Sequence, residues 1–101
     1  MNDLELARNE INAVDLEMAR LFERRMKACA QIAAYKKKHG LPVRDPARED
    51  ALIARNRKEI RDAEIERYYL SFLKQTVALS CAYQAALIGS EEAGRNTGES
   101  L

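Results

Sequence analysis

The first forty residues hold the feature that most limits how this chain folds, an amphipathic segment too long for a compact domain. From Leu4 to His39 there is no proline or glycine, and apolar residues recur every three or four positions. We therefore predict a helix from about Asp3 to His39. Asn2 or Asp3 would cap its start, and Gly40 would stop it. At ~1.5 Å per residue this helix is roughly 54 Å long, so it must project, and its apolar stripe needs a partner.

Three cations interrupt or flank the apolar stripe of this helix: Arg8, Arg25 and Lys36. Arg25 falls in a row of apolar residues spaced seven apart, and Arg8 and Lys36 lie on the shoulder of that row. A lone cation buried there would cost several kcal/mol unless an anion met it. On periodicity alone, an antiparallel coiled coil that tolerates its arginines is the favoured interpretation. A binding site for a small anion is the alternative.

The spacing of the three cations determines how such an anion site would have to be built. Arg25 and Lys36 are roughly 16 Å apart along the helix, so two long side chains leaning together could bracket one dianion. Arg8 lies about 42 Å from Lys36 and cannot reach the same ligand within one chain. In a two-fold dimer with antiparallel first helices, the partner's Arg8 would come between them if the axis crosses near residue 19.

Two shorter helices are predicted after the first. Residues 41–44 form an extended connector, because proline and the residue before it disfavour helix. Asp45 and Pro46 suit the N-cap and first turn of a second helix that runs to about residue 58 or 60. A polar turn then leads into a third helix over about residues 64–88. The face of this helix that we expect to be buried carries Ile65, Tyr69, Phe72, Leu73, Thr76, Val77, Ser80, Tyr83, Gln84 and Leu87.

Composition limits the number of domains and the class of partner. The chain has 101 residues, 47% hydrophobic and 33% charged, which supports one all-α domain over residues 1–88 and a disordered tail over residues 89–101. A net charge of +1 shows no excess of basic residues, which argues against binding to nucleic acid. With no visible signal peptide or membrane-spanning stretch, we expect a cytoplasmic protein. Cys29 and Cys81 are expected to pack as small apolar residues and not to form a disulfide.

Polar residues on the second and third helices could complete an anion pocket. Asp45 and Glu49 share one face of the second helix, and Ser80 and Gln84 interrupt the apolar face of the third at the same spacing. Each pair also has an ordinary explanation, as an N-cap with first-turn acids or as satisfied core polar groups. Together they would suit a small polyanion that carries a hydroxyl group. No phosphate loop, metal constellation or nucleophile–base pair is visible, so we expect no metal or cofactor.

Four segments, together with Ser80 and Gln84, resemble the all-helical chorismate mutase family. The segments are Ala7–Asp15, Glu23–Arg25, Ala34–Lys36 and Pro42–Glu49. The resemblance runs from about residue 4 to residue 88, and its most specific part is the Arg-Asp-x-x-Arg-Glu motif within the last segment. It implies an intertwined homodimer that converts chorismate to prephenate, an intramolecular Claisen rearrangement in phenylalanine and tyrosine biosynthesis.

The same resemblance implies a role for each residue at the reacting end of the substrate. Arg8 from one chain and Arg25 from the other would clamp the two carboxylates of chorismate. Lys36 and Gln84 would donate hydrogen bonds to the ether oxygen as its bond breaks. The expected catalytic set therefore consists of Arg25, Lys36, Gln84 and Glu49.

Three more residues, together with Glu49, would bind the rest of the substrate, again by resemblance. Arg48 would support the carboxylate end, and Ser80 would add a hydrogen bond. Asp45 and Glu49 would address the ring hydroxyl and orient neighbouring cations. The protonation state of Glu49 stays open at the level of sequence, since burial near Gln84 would favour its protonated form and solvent contact its ionised form.

Two other functions stay open at the level of sequence. One is a lyase of the same fold that removes pyruvate from isochorismate with similar cations. The other is a non-catalytic helical dimerisation or regulatory module that has kept the fold.

Overall fold

The computed structural model describes residues 1–89, which form three α-helices and no strand. Helix α1 spans Asp3–His39, α2 spans Pro46–Arg57 and α3 spans Ala63–Ile88. The predicted all-α class, with one very long helix followed by two shorter ones, is confirmed. Of the predicted disordered tail, Gly89 forms the C-cap of α3, and residues 90–101 lie outside the described residues.

Local capping groups set the limits of α1. The Asn2 side chain accepts a hydrogen bond of 2.8 Å from the backbone N–H of Glu5, which satisfies one of the open donors of the first turn. At the other end Gly40 has φ 64° and ψ 32°, the left-handed conformation that glycine adopts without steric cost. The backbone N–H of Leu41 then reaches back to the carbonyl of Lys36 at 2.8 Å. Both predicted ends of this helix are confirmed.

Aspartate caps begin the other two helices. The Asp45 side chain accepts from the backbone N–H of Arg48 at 3.1 Å, with proline in the first turn as predicted. Helix α2 ends at Arg57, slightly earlier than expected. Asp62 accepts hydrogen bonds from two backbone amides of the next turn, so α3 begins at Ala63, and the residues between the two helices form a turn.

The core lies where α3 packs against the C-terminal half of α1, and α2 also packs against α3. Its buried apolar residues are Cys29 and Ala33 of α1 and Leu73 and Val77 of α3. Cys29 thus packs as a small apolar residue, as expected, and both cysteines are free thiols. Two polar side chains of α3 are buried beside this core, and both belong to the residues singled out by the sequence.

The N-terminal part of α1 projects from this core. The molecule measures 56 × 30 × 22 Å, and every residue of α1 up to residue 24 is exposed. Three residues expected to be buried on α3 are also exposed, namely Ile65, Phe72 and Tyr83. That part of the prediction is wrong for the single chain, because no other element within residues 1–89 covers these three side chains. Among residues 1–89, no helix is long and apolar enough to cross a membrane.

Candidate functional site

The three helices and the connector between α1 and α2 surround a cavity of about 310 Å³, here called the polar cavity. The charged and polar residues that line it are Arg25, Lys36, Asp45, Arg48, Glu49, Ser80 and Gln84. These are seven of the eight site residues expected from the sequence, and they come from all three helices. The eighth residue, Arg8, lies far along the projecting part of α1 and does not line it.

Arg25 reaches the polar cavity from α1 and is held there by Ser80 of α3. Its Nη1 donates to the Ser80 hydroxyl and lies 3.9 Å from the sulfur of Cys29. The Ser80 hydroxyl in turn donates to the backbone carbonyl of Thr76 at 2.8 Å. Because a hydroxyl has one proton, Ser80 is an acceptor toward Arg25 in this arrangement. The neutral Ser80 hydroxyl thus orients the Arg25 guanidinium without neutralising its positive charge.

Lys36 and Gln84 form the second contact between α1 and α3. Lys36 Nζ donates to Gln84 Oε1 at 2.9 Å and to the backbone carbonyl of Val43 at 2.6 Å. An ammonium has three protons, so one stays available to a ligand. The Gln84 amide nitrogen makes no hydrogen bond to residues 1–89 and is a second available donor. The two donors therefore lie side by side at the polar cavity.

The charge balance of this pair of contacts favours an anionic ligand. Neither Arg25 nor Lys36 has a carboxylate partner within the described part of the chain, although both side chains are half-buried. Their partners are neutral oxygen atoms, which fix the direction of each side chain without neutralising it. Half-buried cations are costly unless they meet a negative charge. A small dianion would meet both of them in the polar cavity.

Asp45 and Arg48 form the start of α2 at the same cavity. Asp45 caps α2, because one of its side-chain oxygens accepts a hydrogen bond from the backbone N–H of Arg48. This capping role is the non-functional explanation that the sequence also offered. The Arg48 side chain is exposed and adds a third positive charge to the cavity lining. This cation is the most solvated of the three, so its attraction for an anion is the most strongly screened.

Glu49 is held by a residue to which the sequence analysis gave no role. Arg44 donates from Nε and Nη2 to the two Glu49 oxygens at 2.8 and 3.0 Å, a bidentate pair. The hydrogen bond from Arg44 is the main reason that the pKa of Glu49 lies below its usual range. The sequence left the protonation state of Glu49 open, and the structure favours the ionised form, because its carboxylate meets a guanidinium instead of an apolar wall.

Cys81 of α3 lies on the remaining side of the same carboxylate. Its sulfur is 3.8 Å from a Glu49 oxygen. Burial raises the pKa of the Cys81 thiol, and the negative charge of Glu49 raises it further. Cys81 is therefore a neutral weak donor to Glu49. Among residues 1–89, no group of three or more His, Cys, Asp or Glu side chains is arranged to hold a metal ion.

A second concave surface lies next to the polar cavity, between α1 and α3. This apolar groove, of about 530 Å³, is lined mainly by Met18, Ala19, Leu21, Phe22, Phe72 and Leu79, with Arg25 at the border shared with the polar cavity. Several of its large side chains are about half exposed in the single chain. The groove includes the helix turn around residue 19.

Comparison with known proteins places the chain in a family. The profile of the family Chorismate mutase type II matches residues 7–85. A curated relative, the T-protein of Haemophilus influenzae, is 37% identical over 65 residues, which make up 64% of this chain but only 17% of the relative. No solved structure matches. Because the match covers most of the chain and includes Arg8 and every polar residue of the cavity, the chain belongs to the chorismate mutase type II family.

Proposed function

We propose that this protein converts chorismate to prephenate, a step in phenylalanine and tyrosine biosynthesis. Membership of the family supports this activity, and one observation on this chain supports it independently. Arg25 and Lys36 face a single cavity without a carboxylate partner among residues 1–89. Chorismate supplies two carboxylates to such a site. The proposed compartment is the cytoplasm, where free thiols such as Cys29 and Cys81 stay reduced.

The reaction needs few chemical groups from the protein. In the rearrangement the ether C–O bond breaks while a new C–C bond forms within the same molecule, so no nucleophile, metal or cofactor takes part. The protein must hold the flexible substrate in a compact form and stabilise the negative charge that develops on the ether oxygen. In the proposed mechanism the cations of the polar cavity hold the carboxylates and thereby select the reactive conformation.

Lys36 and Gln84 are the proposed donors to the ether oxygen. Their direct hydrogen bond of 2.9 Å keeps the ammonium and the free amide N–H group next to each other, which suits a single acceptor atom. Removing one preorganised oxyanion donor typically lowers the rate by ~10²–10³, or roughly 3–4 kcal/mol. Two donors together with conformational restriction supply about 8 kcal/mol, the lower end of enzymatic rate acceleration.

Glu49 is the proposed acceptor for the ring hydroxyl of the substrate. An ionised carboxylate can only accept hydrogen bonds, and the low pKa of Glu49 keeps it in that form at neutral pH. Its side chain is 18% exposed, so the contact would be made mostly out of water. Asp45 supports the same end of the cavity from the start of α2.

The proposed active form is an intertwined homodimer in which the partner's Arg8 completes each site. Two features of the single chain support this form. The apolar stripe of the projecting helix is exposed, as shown by Leu4, Ile11 and Val14. The apolar groove around residue 19 also lies where the spacing of the cations requires the two first helices to cross. A second copy would cover both surfaces.

The experiment that tests the proposed function is a pair of assays on the purified protein, with its oligomeric state measured in the same buffer. We expect chorismate to be consumed and prephenate to appear, and we expect no pyruvate from isochorismate. Pyruvate release without prephenate would replace the mutase by an isochorismate lyase of the same fold. Absence of both products would contradict an enzymatic function and leave the non-catalytic module.

A further inference from the structure

Glu49 lies between two neighbouring cavities. One is the polar cavity of the proposed site. The other, here called the outer cavity, has about 300 Å³ and is lined in part by Arg44 and Lys74. Glu49 and Cys81 line both cavities, whereas Arg44 lines only the outer one. Arg44 therefore meets the carboxylate from the side that a substrate in the polar cavity would not occupy.

The groups around Glu49 differ in how directly they act on it. The charged and titratable side chains that share a cavity with it are Arg25 and Lys36 of α1, Arg44 and Asp45 of the connector, Arg48 of α2, and Lys74 and Cys81 of α3. Among these, Arg44 makes the two charge-assisted hydrogen bonds to the carboxylate, and Cys81 makes a weaker contact through sulfur. The orientation and charge of Glu49 thus depend on Arg44 more than on any residue of the polar cavity.

We propose that Arg44 is a positioning residue for the rearrangement, whose guanidinium fixes the Glu49 carboxylate in the direction and ionised form that receive the substrate hydroxyl. This inference rests on the proposed function, because it needs a hydroxyl-bearing substrate in the polar cavity. A planar guanidinium suits the role, since its two parallel N–H groups fix the plane of the carboxylate as well as its position. Cys81 contacts the same carboxylate from α3 through its sulfur.

The sign of the expected pH effect follows from the ion pair. Arg44 lowers the pKa of Glu49, so removal of Arg44 raises it again. Activity that depends on ionised Glu49 is then lost at a higher pH as the solution is acidified. The acid limb of kcat/KM should therefore move to higher pH in Arg44→Ala.

The test compares pH profiles of kcat/KM for chorismate in four proteins: wild type, Arg44→Ala, Glu49→Gln and the double variant. At neutral pH, Arg44→Ala should lower kcat/KM about three- to tenfold, the range for one charge-assisted hydrogen bond at a partly exposed site. The loss should be mainly in KM, because the hydroxyl contact exists in both ground and transition states. In Glu49→Gln, adding Arg44→Ala should change neither the pH profile nor kcat/KM.

Two further variants separate positioning from charge and from general stability. Arg44→Lys keeps the positive charge but loses the two parallel N–H donors of the guanidinium. The acid limb of its kcat/KM profile should therefore stay near that of the wild type, while its KM should be higher than that of the wild type. Arg57→Ala is the matched control, because Arg57 pairs with Glu66 at 3.5 Å between α2 and α3 and lines neither cavity. Its profile should overlay that of the wild type.

Three results would overturn the proposal, and only the last of them also overturns the proposed function. If the wild type is active and the Arg44→Ala profile overlays it, Arg44 has no positioning role and the proposed function stands. The same conclusion follows if Arg44→Ala lowers kcat/KM by an equal factor with and without Glu49. If the wild type does not convert chorismate, the proposed function fails and the role of Arg44 fails with it.

Discussion

At the scale of single residues, the polar cavity depends on neutral partners that direct cations without neutralising them. Arg25 is directed by the Ser80 hydroxyl, and Lys36 by the carbonyl oxygen of the Gln84 side chain. The two cations are far apart along α1, yet their partners are only one turn apart on α3, so the two side chains converge. A carboxylate in place of either partner would satisfy the cation and compete with an anionic ligand.

The first prediction concerns Lys36, which we place at the ether oxygen. Lys36→Ala should lower kcat by ~10²–10³, because it removes one of two donors to the developing negative charge. The fold and the oligomeric state should not change, since the side chain is only half-buried. The measurements are steady-state kinetics, circular dichroism and sedimentation. Lys38→Ala is the control, because Lys38 is exposed in the same last turn and lines no described site. A kcat of Lys36→Ala equal to that of the wild type would contradict the mechanism.

Most of the cavity lining could be predicted from the sequence because its residue types are unusual for their positions. Polar side chains on apolar helix faces, such as Ser80 and Gln84, are visible as interruptions of a periodic pattern. Arg44 was included only as the first residue of the Arg-Asp-x-x-Arg-Glu motif and was given no role, because it lies in an irregular connector, where no periodicity indicates what a side chain contacts. The protonation state of Glu49 could not be predicted for the same reason, since it depends on that neighbour.

At the scale of helices, local chemistry determines where each element begins and ends. Asn2, Asp45 and Asp62 cap their helices through side-chain oxygens, and Gly40 ends α1 in a left-handed conformation. These signals act over a few residues and could be predicted from the sequence. The exposed face of α3 could not, because burial of Phe72 depends on what covers it and not on its own helix.

The second prediction concerns the end of α1 at Gly40. Gly40→Ala should destabilise the protein by about 1 kcal/mol, because alanine disfavours a positive φ. A β-carbon there would have no atom within 4 Å, so the cost is conformational and not steric. Denaturant unfolding at one fixed protein concentration measures it. Gly40→Asn should cost less, since asparagine tolerates this region. Equal stability of the alanine variant and the wild type would contradict this account of the helix end.

At the scale of the whole molecule, two features of the single chain support the proposed homodimer. Its core is small, with four buried apolar residues among residues 1–89, while a long stripe of large apolar side chains is exposed. Arg8, which the proposed site requires, does not line the polar cavity and lies about 25 Å from Arg25 along α1. A second copy with an antiparallel first helix would supply both the missing surface and the missing cation. The central claim is that each site draws on two chains.

Subunit mixing tests this claim most directly. Arg8→Ala and Arg25→Ala should each be nearly inactive alone, because every site in either homodimer lacks one cation. When the two variants are unfolded together and refolded, half of the dimers should be mixed, and each mixed dimer should have one intact site. We therefore expect about a quarter of wild-type activity.

The control mixture combines Arg25→Ala with Lys36→Ala, which affect the same chain's site. It should stay inactive, because every site in a mixed dimer then lacks one of the two residues. Recovery of about a quarter of the activity in the first mixture, with none in the control, is the result that the shared site predicts. No recovery in a mixture of Arg8→Ala and Arg25→Ala that has been shown to form mixed dimers would contradict it.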